Sequence, residues 1–393
     1  MPNLSAHKTI ALQNVFDVKG NVIEEISIGE GKIKSINEHP SNNKKNFQFY
    51  FNNAIAFPGL INSHDHLDFD LFPRLGNKIY EDYIEWGRDI HEKNKETINN
   101  VLKVPKALRI QWGIYKNLLA GVTTVVHHGE YIQTKNDLLN IYQQSNVLHS
   151  AQLEKKLKLK LNNPFAKPFP FVIHVGEGTN EQSHAEINEL IKWNLFKREL
   201  IGVHGIAMTE EQAKYFKAII WCPDSNLFLQ NKTAAVDKLK KYTTILFGTD
   251  STVSADWNIW SQLRLARKTN LLNDKELYKS ITESGSLIWN LNAGSLEKNK
   301  DADIVVAKSK SSFNYFDNFF SLKPEDILLI LYKGEVVLFD ESLVTQFTED
   351  EFLKLFSKIF INNNCKYVKG DLPALIKVIK QYNPDSNFPF EIE

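Results

Sequence analysis

The sequence predicts an α/β protein: a (β/α)₈ barrel with a small β-rich domain assembled from both ends of the chain. Three observations predict it. Short apolar strand candidates alternate with longer helical patterns between residues 56 and 299, the rhythm of a parallel α/β architecture. Seven or eight such units over about 245 residues match the size of an eightfold barrel. Short alternating strands separated by glycine turns occupy residues 1–55 and return at 300–345, and β-rich segments at opposite chain ends often meet in one sheet.

Taken in order, Thr9–Leu12, Val22–Ile28 and Lys32–Ile36 are the first strands, punctuated by Lys19-Gly20 and Gly29-Glu30-Gly31. The apolar run Ala54–Ser63 reads as a buried strand and ends in His64-Asp65-His66. Barrel strands are then expected at Val122–Val126, Val147–Ser150, Phe169–Ile173, Leu200–Val203, Ala218–Trp221 and Thr243–Phe247, with an eighth in Lys156–Leu161. Asp303–Ala307 and Ile327–Leu338 return to the β texture of the N-terminus. Residues 346–393 are expected to form a peripheral helical tail, because Glu349–Phe360 is amphipathic and follows a cap at Thr348.

At 393 residues the chain can bury a large core, and 42% hydrophobic with 24% charged residues is ordinary for a globular protein. Lys plus Arg equals Asp plus Glu at 47 each, so no net field recruits nucleic acid or an anionic membrane. The densest basic run, Lys155–Lys160, reads as a solvated face. Two cysteines, Cys222 and Cys365, are too few for a disulfide framework and suit a reducing compartment. The first residues lack the apolar centre of a signal peptide, and no stretch approaches the roughly 18 apolar residues of a membrane span. A cytoplasmic location without a membrane partner is therefore expected.

Catalytic groups in barrels of this kind sit where strands end. The strand ends here carry His64-Asp65-His66, His174-Val175-Gly176-Glu177, His204, Cys222-Pro223-Asp224-Ser225-Asn226 and Gly248-Thr249-Asp250-Ser251. Side chains two apart on a strand share a face, so His64 and His66 can grip one ion while Asp65 points away. Each group also has a plain reading. A lone His174 or His204 can be a hydrogen-bonded core residue, Asp250 a helix N-cap, and Glu177 a solvated loop carboxylate. Those readings must all hold at once and coincide at the same end of successive strands, which favours a site. His64, His66, His174 and Asp250 together offer three imidazoles and one carboxylate. This set suits one divalent ion, Zn²⁺ first, with Fe²⁺ not separable by ligand type. Such an ion lowers the pKa of bound water toward about 7. Glu177 and His204 remain for proton transfer and polarisation.

These stretches resemble the amidohydrolase superfamily of metal-dependent hydrolases, above all its one-metal branch of deaminases, triazine hydrolases and imidazolonepropionase. The matching segments are Phe57–Leu67, Ala120–Val125, His174–Glu177, His204, Cys222–Leu229, Phe247–Ser251 and Asp301–Val306, in the family's order. The resemblance implies a (β/α)₈ barrel plus a β-sandwich built from both chain ends, and a homodimer. It implies that His64, His66, His174 and Asp250 are metal ligands, with Asp250 also taking a proton from the nucleophile. Glu177 would shuttle that proton to the leaving group, and His204 would polarise the substrate. The implied reaction is attack by metal-activated hydroxide on a carbon–nitrogen centre of a small heterocyclic molecule, hydrolytic deamination first. Ring opening of a cyclic amide is the alternative, and a noncatalytic scaffold on the same fold is a third reading. No lysine is evidently placed to bridge two metals, and the span from Val125 to His174 is short for this branch. Arg74 and Trp86, in the aromatic segment after the first strand, are candidates to contact substrate. His127 and His128 match no ligand position of the family, and either can face the pocket.

Overall fold

The computed structural model describes residues 9–37, 46–133, 136–310, 315–347 and 350–392. Among them eight parallel strands form a (β/α)₈ barrel: Leu60–Asp65, Val122–His127, Asn140–Tyr142, Asn146–Ser150, Phe171–Val175, Leu200–His204, Ala218–Trp221 and Thr244–Phe247. The first three share one hydrogen-bonded ladder and the last five another. Curvature returns the eighth strand to the first, where Asp250 N–H donates to the His64 carbonyl at 3.1 Å and Thr249 N–H to Asn62 Oδ1 at 3.0 Å. A Cβ at Gly248 would stand 2.7 Å from His64 Cβ, so this seam closes over a glycine.

The eighth strand is not in Lys156–Leu161. Leu157–Leu161 is a helix, with Leu157 and Leu161 buried and Leu159 70% exposed, the i, i+4 spacing of a helical face. The strand is instead Asn140–Tyr142, too short to show a period, and residues 143–145 link it directly to the next one. Among the described residues no helix occupies the connections 128–139 and 143–145. This accounts for the short span between Val125 and His174.

Both chain ends join one continuous eleven-stranded sheet rather than two separate ones. Its order runs Glu391–Ile392, Phe356–Ile361, Asn364–Lys369, Glu335–Asp340, Ile327–Tyr332, Ile304–Lys308, Ala54–Pro58, Ile10–Phe16, Val22–Gly29, Lys32–Ile36. Phe47–Tyr50 lies parallel beside Ile10–Phe16. The sheet rolls over a second core in which the Phe347 ring lies 4.4 Å from Phe339 and 5.1 Å from Phe49. Three of its hairpins turn on consecutive residues with positive φ, Glu30-Gly31, Lys333-Gly334 and Asn362-Asn363, as the tightest right-twisted hairpins require. Ala54–Pro58 runs across Gly59 straight into the first barrel strand, coupling sheet to barrel.

The tail departs from its expected helical form. Helix Asp350–Leu353 is brief, and Phe356–Ile361 is a strand paired with Asn364–Lys369. Its Phe, Ile, Phe and Ile side chains suit a pleated surface, and Asn362-Asn363 supplies the turn. The cap expected at Thr348 lies outside the described residues. A helix does follow at Leu372–Tyr382, where the Asp371 carboxylate accepts from Ala374 N–H, and it packs on helix Lys106–Leu119. Among the described residues no helix is long and apolar enough to cross a membrane.

Candidate active site

Three barrel strands deliver the expected ligands to one point. His64 is on the first strand and His66 just beyond it, His174 is on the fifth, and Asp250 follows the eighth. His174 Nε2 lies 3.2 Å from His64 Nε2 and 3.3 Å from His66 Nε2. Asp250 Oδ1 stands 3.9 Å from the Nε2 atoms of both His64 and His66. Donors about 2.0–2.1 Å from a tetrahedral ion lie about 3.3–3.4 Å apart, which is the imidazole spacing seen here. The tautomer of His174 fits as well. Its Nδ1 lies 2.6 Å from the His149 carbonyl, which can only accept, so Nδ1 carries the proton and Nε2 the lone pair. Burial, reinforced by neighbouring imidazoles, pushes His64 and His174 well below the ordinary histidine range. Neutral, converging nitrogens are what a divalent ion needs, and the residues present fit one.

Asp250 is fixed from both sides. Ser251 N–H donates to Oδ1 at 2.7 Å, and the Ser225 and Ser254 hydroxyls donate to Oδ2 at 2.9 and 3.0 Å. Burial opposes its charge, but His204, His66 and His174 outweigh that and hold the carboxyl below its usual range. Glu177 behaves oppositely: burial, then the Asp250 charge, push its carboxyl well above the usual range. That shift favours the protonated form of the carboxyl. Glu177 Oε2 lies 3.5 Å from His204 Nε2. His204 Nδ1 lies 2.8 Å from Asn226 Oδ1, whose amide nitrogen donates to Thr233. Nδ1 of His204 thus carries the proton and leaves a basic Nε2 facing Glu177.

Supporting groups lie behind these, and apart from Asp65 the sequence did not single them out. Asp65 turns away from the ligands, as strand alternation requires, and its Oδ2 accepts from Lys116 Nζ at 2.8 Å, Asn117 at 2.8 Å and Asn62 at 3.1 Å. Lys116 is fully buried on helix Lys106–Leu119 and also donates to Asp70 at 2.8 Å. Glu186 accepts from Gly176 N–H at 2.6 Å and so fixes the turn between His174 and Glu177. Asn62, Asp65 and Asn226 lay inside quoted motifs, whereas Lys116, Asn117, Asp70 and Glu186 did not. The latter are joined to the site by packing across sequence separations that leave no pattern.

The remaining candidates separate. Trp86 lines a 470 Å³ cavity that also touches His66, His174, Glu177, His204 and Asp250, and its indole N–H is held by the Leu75 carbonyl at 2.9 Å. Arg74 is not brought to this cavity. It pairs with Asp224 at 2.6 Å, stacks 4.7 Å from the Phe228 ring and lines a neighbouring cavity. The carboxylate of Asp224 took the guanidinium that sequence reasoning assigned to substrate. His127 is buried beside the Leu67 amide, and burial pushes it down to about 4. His128 is buried among the ligand rings, 4.3 Å from His174.

Known proteins share this fold and part of this sequence. The model of the amidohydrolase family matches residues 164–337. A 5'-deoxyadenosine deaminase of Methanosphaera stadtmanae is 24% identical over 368 residues, covering 76% of this chain and 85% of that one. A zinc-bound adenosine deaminase of Xanthomonas campestris superposes with a TM-score of 0.71 over 96% of this chain and 97% of its own, at 15% identity. An aminofutalosine deaminase of Helicobacter pylori, in complex with methylthio-coformycin, superposes with a TM-score of 0.63 over 84% and 100%, at 17% identity.

Proposed function

We propose, from its likeness to the amidohydrolase family, that this chain hydrolytically removes the exocyclic amine of an adenine-type heterocycle. The observation that carries the reading is the adjacency of a three-imidazole, one-carboxylate cluster to the buried side chains of Glu177 and His204 in one cavity. We assign the ion as zinc, which the zinc-bound relative supports. When bound, it supplies a Lewis acid that makes water nucleophilic near neutral pH.

The chain's own residues handle the protons. Asp250, held ionised by its imidazole neighbours, accepts a proton as the nucleophile attacks. Glu177, protonated by virtue of its burial, gives its proton to a ring nitrogen of the substrate and thereby makes the attacked carbon electrophilic. Recharged with the proton that Asp250 took from the nucleophile, it protonates the departing amine, which leaves as ammonia. His204 Nε2 accepts a hydrogen bond from the adduct and keeps Glu177 aligned.

The cavity limits the substituent that the heterocycle carries. Phe69, Phe72, Trp86, Ile98 and Leu102 supply apolar walls, and no lysine or arginine is among the described residues that line it. Its carboxylates, Glu177 and Asp250, are committed to chemistry. An uncharged substrate with a low-polarity substituent fits, and the names of the deoxyadenosine and methylthioadenosine deaminase relatives support that choice.

The test is ammonia release from zinc-loaded protein offered adenine, guanine, cytosine and 5'-substituted adenosines. Uncharged 5'-deoxy and thioether adenosines are expected to react, and 5'-phosphates are not, for want of a cation. Glu177→Gln should cut kcat by about 10²–10⁴-fold while zinc content stays the same. No ammonia from any aminated heterocycle, with ring opening of a cyclic amide instead, would transfer the reading to the ring-opening alternative.

A further inference from the structure

One imidazole of the centre has no part in that reading. His128 follows the second barrel strand, is 4% exposed, and has its ring 4.3 Å from His174 and 5.0 Å from His64. Its Nε2 lies 3.1 Å from the Leu148 carbonyl. A carbonyl oxygen only accepts, so Nε2 carries the proton and Nδ1 carries the lone pair. That Nδ1 is fully buried and has no hydrogen-bond partner. An unmatched buried acceptor is costly and calls for an explanation. One ligand nitrogen each of His64, His128 and His174 lie within 4.8 Å of one another, near enough for a small shift of the rings to bring them onto one ion.

We propose that His128 is a fourth imidazole of the metal centre, presenting Nδ1 to the ion that His64, His66, His174 and Asp250 hold. This inference rests on the metal-dependent reading above. The Leu148 carbonyl does for His128 what the His149 carbonyl does for His174, since each fixes a proton on one nitrogen and frees the other. Leu148 and His149 are adjacent on the fourth barrel strand, so one short strand sets the tautomer of two rings. His127 is the natural control. As the neighbour of His128 in extended chain it takes the opposite face, and its Nδ1 accepts from Leu67 N–H at 3.4 Å.

Cobalt(II) substitution reads the number of ligands, because visible ligand-field absorption strengthens as coordination number falls. His128→Phe is expected to intensify those bands and to weaken metal retention against a chelator by about 10–100-fold or more, the loss typical even of an outer partner. His127→Gln should change neither. Unchanged bands and unchanged retention in a folded His128→Phe protein overturn the proposal. Should His128→Phe lose its native near-ultraviolet circular dichroism, a zinc-loaded crystal structure of the unaltered chain decides. There, Nδ1 within about 2.3 Å of zinc supports the fourth imidazole and a separation beyond about 3 Å overturns it. An unaltered chain that retains neither cobalt nor zinc overturns the metal-dependent reading and this inference with it. Metal retained indifferently to residue 128 removes the fourth imidazole alone.

Discussion

Asn226 decides which nitrogen of His204 carries the proton. Its Oδ1 accepts from Nδ1 at 2.8 Å, leaving Nε2 basic and 3.5 Å from Glu177 Oε2. Replacing it by leucine removes the acceptor and frees the ring to adopt the other tautomer. Asn226→Leu should lower kcat by roughly 10²-fold or more with metal content unchanged, while Asn226→Asp, which still accepts, retains more of the activity. Equal losses in the two variants would show that the residue serves packing alone. The contrast between His204 and its partner also shows where sequence reading works. His64, His66, His174, Glu177, His204 and Asp250 were legible because each lies at or just past the end of an apolar strand, so a linear pattern encodes a spatial end. Asn226 stood in a recognisable motif with no role to assign. Arg74 misled because its charge was visible while its partner Asp224, 150 residues away, was not.

Helix Lys106–Leu119 docks the first barrel strand through a buried ionic triad. Lys116 donates to Asp65 and Asp70, each at 2.8 Å, with all three side chains essentially excluded from water. Burial pulls the ammonium toward neutrality, but the two carboxylates overcome it and hold it charged. Asp70 is pushed upward by burial and by the Asp65 charge, so the triad holds its excess negative charge reluctantly. Lys116→Met leaves two buried carboxyls without their cation, which costs about 3–5 kcal/mol. Urea unfolding should show that loss. Metal titration should show weakened retention too, because Asp65 lies between His64 and His66 in the chain. A loss below about 1 kcal/mol would mean that solvent or a proton replaces the lysine at little cost. At this scale the periodic elements were readable and the short ones were not. Alternation in Lys156–Leu161 mimicked a strand, whereas the solvent exposure of Leu159 reveals a helix. Asn140–Tyr142 holds three residues, fewer than two periods of anything. Phe356–Ile361 looked helical in isolation because its turn, Asn362-Asn363, lay beyond the window that suggested amphipathicity.

The sheet and the barrel are joined at Asp303, and this junction gives the whole molecule a pH dependence distinct from that of the active site. Gly59, between the last sheet residue and the first barrel strand, donates its N–H to the Asp303 carbonyl at 2.8 Å. The Asp303 side chain accepts from Lys333 N–H at 2.7 Å. It is 5% exposed, and burial pushes its carboxyl up to about 7. In the unfolded chain an aspartate titrates near about 3.9. Between those two values the folded state binds a proton that the unfolded state has released, so stability falls as pH rises through this window and levels off above it. The substitution Asp303→Asn mimics the protonated side chain, since the amide oxygen can still accept from Lys333 N–H. It should therefore gain stability over the unaltered chain, by about 2–3 kcal/mol more at pH 8 than at pH 5. Urea midpoints of the two proteins at those pH values measure the difference. A gap that does not change with pH would mean that the carboxylate is solvated at the junction and that the two units are held together by their apolar contacts alone.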